Sequence, residues 1–194
     1  MNALERIEAD PAKDDELIIV DGRDRQVGTA TKQKTHMEGL LHRAFSVVLV
    51  REGESGPELL IAQRGAGKYH SAGLWANSCC SHPRADEQVV EAAYRRVREE
   101  LGVEASGLHE ICAFVYRAEF DNGLVEHEYD HVLAGRCVGE LALDPAEASD
   151  ARWIGFDALA AELADKSRSF AVWAPIVLTV AMRDAGIAQR FASR

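Results

Sequence analysis

The sequence predicts an α/β fold, a mixed β-sheet sandwiched between helices. Three features predict it: apolar runs rich in β-branched residues recur between turn signals, one long amphipathic helix interrupts them, and two apolar helices follow them. Periodicity places these elements without giving their topology. A chain of 194 residues has the length of one domain, and 47% hydrophobic content suffices for a sizeable core. Residues 1–16, charged, Ala-rich and broken by Pro11, read as a flexible tail, and 17–194 as the single domain.

In chain order, Leu17–Asp21 is a buried strand and Gly22-Arg23-Asp24 its turn. Thr29–His36 alternates weakly. Val47–Val50 is an apolar strand, and Glu52–Glu58, carrying Gly53, Gly56 and Pro57, is a hairpin loop. Leu59–Arg64 is the next strand and Gly65–His70 the loop after it. Cys80 and His82, two residues apart, share a face of an extended segment that Pro83 ends. Asp86 then caps a helix running to Leu101 and stopped by Gly102. Val90, Ala93, Tyr94, Val97 and Leu101 form its buried stripe, with Arg96 and Glu100 neighbours at the edge. Taken alone, that pair is an ordinary surface ion pair worth about 0.2–0.5 kcal/mol. Ile111–Ala118 and Leu124–Cys137 are strands joined by the turn Asp121-Asn122-Gly123, and period two puts Glu126 and Glu128 on one side. Ala151–Ile154 is a short edge strand; Phe156–Ala164 and Ala174–Ala185 are helices.

The formal charge of −10 argues against a nucleic-acid partner. No run approaches the roughly 20 apolar residues that span a bilayer, and no apolar leader follows Met1. Cys79, Cys80, Cys112 and Cys137 lack a disulfide-scaffold spacing, so the expected setting is the cytoplasm, with reduced thiols. The chain is expected to work as a monomer.

Glu87 and the run Arg95–Val103 resemble the Nudix box, with Ser81 where the first Gly would stand and Arg96 where the first Glu of its Arg-Glu pair would stand. Preceded by Asn77-Ser78-Cys79-Cys80-Ser81-His82-Pro83, this altered box is similar to that of the type I isopentenyl-diphosphate Delta-isomerase family. Leu41–Ser46 and the set Gly28, Thr29, Lys32 and His36 carry the same resemblance, which extends from about Leu17 to Phe191. His36 and His42 stand one residue closer than their counterparts in several relatives.

The resemblance implies a Nudix-type fold and an isomerase that interconverts isopentenyl and dimethylallyl diphosphate through a tertiary carbocation. It implies a small-molecule diphosphate gripped by Lys32, Arg64, Lys68 and Arg96. It implies Mn2+ or Mg2+ on His36, His42, His82, Glu126 and Glu128, and Mg2+ with the substrate diphosphate beside Glu100 and the Cys80 carbonyl. By this reading Glu128, near Tyr116, delivers a proton, Cys80 takes one as thiolate, and Trp173 stabilises the cation; Val172 replaces the Pro that precedes this Trp in relatives. Each residue also has a plainer reading: a core histidine, solvated cations, a polar strand face, a packed Trp. The five His and Glu residues together have no such explanation, and mixed N and O ligands suit Mn(II), Zn(II) or Fe(II). Competing readings are a Nudix hydrolase of a diphosphate substrate, a silent Nudix-fold binding module, and a local zinc site from Cys79, Cys80, His82 and Cys112.

Overall fold

The computed structural model describes residues 15–165, 169–184 and 186–187. Along them run β1 (Glu16–Val20), β2 (Gln26–Thr31), α1 (Lys32–Glu38), β3 (His42–Gly53), β4 (Gly56–Arg64), β5 (Trp75–Ala76), β6 (Cys79–Ser81), α2 (Val89–Leu101), β7 (Glu104–Glu119), β8 (Val125–Val138), β9 (Ala148–Gly155), α3 (Phe156–Ala164) and α4 (Ala174–Arg183). Most of the expected tail, together with Ala185 and Phe191, lies outside the described residues, and Glu16 already belongs to β1.

The sheet is built on β3, which pairs antiparallel with β1, β4 and β6 and parallel with β8. β7 lies antiparallel on β8, and β9 on β4. Val47–Val50 is continuously apolar because both faces of this strand are covered. Phe45, Val47 and Leu49 pack with Ala93, Val97 and Leu101 of α2. Val48 and Val50 pack with Leu159 of α3 and with Val177 and Leu178 of α4. The same alternation sends His42 and Ser46 to the α4 side, where Cys80 and Tyr116 border the core.

Three expectations need correction. Thr29–His36 is not extended throughout: Thr31 Oγ1 accepts from Lys34 N at 3.3 Å, opening the seven-residue helix α1, which Gly39 ends at φ 63°. α2 begins at Val89 with Gln88 as N-cap, not at Asp86. The Glu87 carboxylate instead takes the Arg84 amide at 3.1 Å and Arg95 at 2.6 and 2.7 Å, folding the preceding residues into a turn. Val90 is 38% exposed, and Ala92 and Glu100 join the buried face in its place.

Candidate active site and metal centre

Buried side chains stitch the thiol segment to the sheet. Ser78 Oγ donates to the Leu60 carbonyl at 2.7 Å and accepts from Leu49 N at 2.8 Å. Asn77 Nδ2 donates to the carbonyls of Val47 and Cys79, at 3.1 and 3.0 Å. Cys80 is thereby set opposite Ser46 in the β3–β6 register. Its Sγ donates to Asn77 Oδ1 at 3.0 Å and accepts from Trp173 Nε1 at 3.1 Å. Ser46 Oγ lies 3.6 Å from that sulfur and donates to Asp130 Oδ2 at 2.8 Å. Burial foremost, then the Asp130 charge, pushes the Cys80 thiol up to about 12, while Ser46, Arg64 and Trp173 pull it down.

Strand register assembles the histidine and carboxylate cluster. His42 stands opposite Glu128 across the parallel β3–β8 pair, and Tyr116 opposite Glu128 across β7–β8. The Tyr116 hydroxyl donates to Glu128 Oε2 at 2.6 Å, and His82 Nε2 lies 3.1 Å from Oε1. His36 Nδ1 is 2.7 Å from the Lys32 carbonyl and His42 Nδ1 2.9 Å from that of Leu40. Each Nδ1–H therefore donates to backbone, leaving Nε2 with its lone pair inward. His42 and His82 approach Nε2 to Nε2 at 3.2 Å, close to the edge spanned by two nitrogens each about 2.1 Å from one cation. Glu126 Oε2 is buried without a hydrogen-bond partner.

Burial opposes charge on Glu126, yet His36 and His70 hold its carboxyl well below the ordinary range, and burial pushes His82 down to about 4. The ionised Glu126 carboxylate, the neutral His82 imidazole and the orphan oxygen fit a divalent cation. Three donor groups converge among the described residues: His36 with His42 and His82, His36 with His70 and Glu126, and His42 with Glu126 and Glu128. None contains a cysteine, so the cysteine-based zinc site is not formed.

One cavity of about 390 Å³ gathers Cys80, His82, Tyr116, Glu126, Glu128 and Trp173 with the four expected cations Lys32, Arg64, Lys68 and Arg96. His36 and His42, wholly buried, stand behind the carboxylates, and Glu100 lines a smaller cavity of about 20 Å³ together with Cys80. Arg64 Nη2 donates to the His70 carbonyl at 3.3 Å, and its guanidinium lies 5.1 Å from the Trp173 ring. Lys32 Nζ lies 4.9 Å from the Tyr69 ring. Arg96 is ion-paired with Glu100 at 2.6 Å, Glu99 at 2.9 Å and Glu147 at 3.1 Å, and Lys68 binds Glu147 as well. Burial would raise the Glu147 carboxyl, but Lys68 and Arg96 hold it at about 2.

Sequence reasoning missed His70, Asp130 and Glu147. Asp130 continues the two-residue alternation from Glu126 and Glu128 and was readable on that ground. The other two come from loops, where spacing carries no such signal.

Residues 40–174 match the NUDIX domain family. DR0079 from Deinococcus radiodurans, 21% identical, shares the fold with a TM-score of 0.67 over 85% of this chain and 98% of its own. Fold and site thus define a Nudix-domain protein. Among relatives, isopentenyl-diphosphate Delta-isomerase of Photobacterium profundum is 46% identical over 168 residues, 85% of this chain and 93% of that one. Isopentenyl-diphosphate Delta-isomerase 2 of Aromatoleum aromaticum is 43% identical over 160 residues, 82% of either chain. The chain belongs to the isopentenyl-diphosphate Delta-isomerase family.

Proposed function

We propose that this chain interconverts isopentenyl and dimethylallyl diphosphate by adding one proton and removing another through a tertiary carbocation. One observation carries the reading: two proton carriers, the Cys80 thiol and the Tyr116–Glu128 pair, line a single cavity that also holds four cationic side chains. Arg64, Lys68, Arg96 and Lys32 anchor the diphosphate by charge-assisted hydrogen bonds. In the direction of dimethylallyl diphosphate, Glu128 with Tyr116 delivers the proton to the alkene and Cys80, as thiolate, takes the one that leaves; the reverse direction exchanges the roles. Trp173 Nε1–H, donated to the sulfur, and the Arg64 charge favour its anionic form against the burial and the Asp130 charge that hold the thiol up. The Trp173 ring stabilises the carbocation, by about 2 kcal/mol or more once desolvated. Closure of the site against water keeps the cation from being trapped as an alcohol.

His36, His42, His82, Glu126 and Glu128 would hold Mn2+ or Mg2+, with Mg2+ accompanying the diphosphate beside Glu100, and such cations make nearby carboxyl and phenol protons more acidic. The substrate is a small molecule and the chain acts as a monomer. Four free cysteines suit a reducing compartment, the cytoplasm. Among the described residues, no helix is long and apolar enough to cross a membrane.

A hydrolase would need the glutamate that Arg96 replaces, and Arg96 is engaged with Glu100. Proton NMR of isopentenyl diphosphate incubated with metal-loaded protein in deuterated water decides the matter. Deuterated dimethylallyl diphosphate is expected; release of phosphate without isomerisation would replace this reading by the hydrolase.

A further inference from the structure

We infer that His70 is a positioning residue for the metal centre, holding one oxygen of Glu126 so that the other is presented to the cation. The inference rests on reading His36, His42, His82, Glu126 and Glu128 as that centre. His70 belongs to the loop after β4 and is 6% exposed. Its Nε2 lies 2.6 Å from Glu126 Oε1, and its Nδ1 lies 3.2 Å from Ser71 Oγ. A hydroxyl donating to Nδ1 leaves the ring proton on Nε2, where Glu126 accepts it.

Among the described residues, no other ring serves Glu126 in this way. His36 Nε2 is 3.3 Å from the same Oε1, a longer contact than the 2.6 Å of His70, and its Nδ1 proton is on the Lys32 carbonyl, so a His36 that ligates a cation through Nε2 has no proton left for Glu126. His42 Nε2 is 4.0 Å from Oε2, too far for a hydrogen bond. Oε2 is consequently the orphan oxygen, aimed among the inward-facing imidazoles.

The surroundings keep the His70 ring in one orientation. Phe120 stacks on it with centroids 4.7 Å apart and planes 18° apart, Tyr69 meets it edge-on at 4.5 Å, and Trp173 edge-on at 5.9 Å. Ser71, the next residue, adopts φ 51°, a left-handed conformation uncommon outside glycine and often found where a chain is held for function. Removing such a support of a metal ligand commonly weakens metal binding about 10–100-fold.

The test is Mn2+ titration of the metal-free full-length protein, following free Mn2+ by electron paramagnetic resonance. It compares wild type with His70→Leu, His70→Gln and His70→Asn, alongside thermal melts of each metal-free variant. His70→Leu is expected to lose affinity by roughly 10–100-fold. His70→Gln, whose amide reaches the Nε2 position, should recover most of it. His70→Asn, whose shorter amide stops short of Glu126, should not, and it stands in for leucine should that variant fail to fold. Unchanged Mn2+ affinity in the leucine and asparagine variants, or equal loss in all three, would overturn the inference. So would nitrogen hyperfine spectra of bound Mn2+ showing a fourth histidine that disappears with His70. A wild-type protein that takes up no Mn2+ would instead sink the metal-centre reading, and this inference with it.

Discussion

Arg96→Met removes the guanidinium from α2 and leaves a carboxylate behind in the core. Arg96 and Glu100 are 19% and 9% exposed at the side chain, so their 2.6 Å contact is shielded from water. Glu147 keeps Lys68, so the charge left most exposed to the loss is that of Glu100. Breaking a buried pair from one side costs about 3–5 kcal/mol. At about 2–4 °C per kcal/mol for a domain of this size, Tm should fall by roughly 6–20 °C at neutral pH. The deficit should also depend on pH. Burial already raises the Glu100 carboxyl, Arg96 pulls it back, and without Arg96 it rises further. A carboxyl raised on folding carries its full penalty above its folded pKa and loses that penalty as pH falls through it towards the unfolded value, so the gap from wild type should narrow between pH 8 and pH 5. Differential scanning fluorimetry in chelator, at both pH values, measures this. A loss equal at the two pH values, or none, would show that Arg96 does not neutralise Glu100.

Cys80→Ala should fold and bind Mn2+ yet lose most isomerase turnover in the deuterium assay, and normal turnover would remove the thiol from the mechanism. Glu128→Gln should lose turnover and also weaken Mn2+ binding, since one oxygen faces His82 and the other Tyr116; an active variant would contradict its role. Glu147→Gln should tighten binding of inorganic diphosphate roughly tenfold by calorimetry, about the 1.5 kcal/mol of one hydrogen bond to a charged group, because Lys68 and Arg96 no longer share their charge with it. Loss of affinity would mean that Glu147 orients those cations for substrate. Adding Mn2+ at 100 times its Kd to chelator-stripped protein should stabilise it by about 2.7 kcal/mol, read as a rise in Tm. An unchanged Tm would deny a site in the folded state.

What was legible in the chain was what local rules encode. Glu126 and Glu128 were readable as a pair because strand period fixes their common side, and the altered box because its residues are close in sequence. His42 was placed at the start of β3 by the likeness of Leu41–Ser46 to the isomerase family. α1 escaped because seven residues make barely two turns, too few for a periodic signal. The start of α2 was misread because Asp86 is a good cap in isolation, whereas Glu87 pairs with Arg95 a full two turns on. His70 was invisible for another reason: its partner Glu126 lies on β8, and only the approach of the β4 loop to that strand brings them together. Loop-to-strand contacts of this kind follow from packing, and no spacing encodes them.

The exchange at position 96 explains how one scaffold can separate two charged tasks. In the resemblance, a glutamate there would help hold a cation on α2. Arg96 instead turns that helix face towards anions, and the candidate cation ligands gather on α1, β3, β8 and the residue just beyond β6. Arg96 and Lys68 are balanced by Glu100 and Glu147, so these two cations do not stand uncompensated in a partly buried space. In the proposed reaction a diphosphate would enter this network by exchanging partners with Glu147 at Lys68 and Arg96. In that reaction the alkene end would then lie between the thiol and the Tyr116–Glu128 pair, which face the same cavity as those cations.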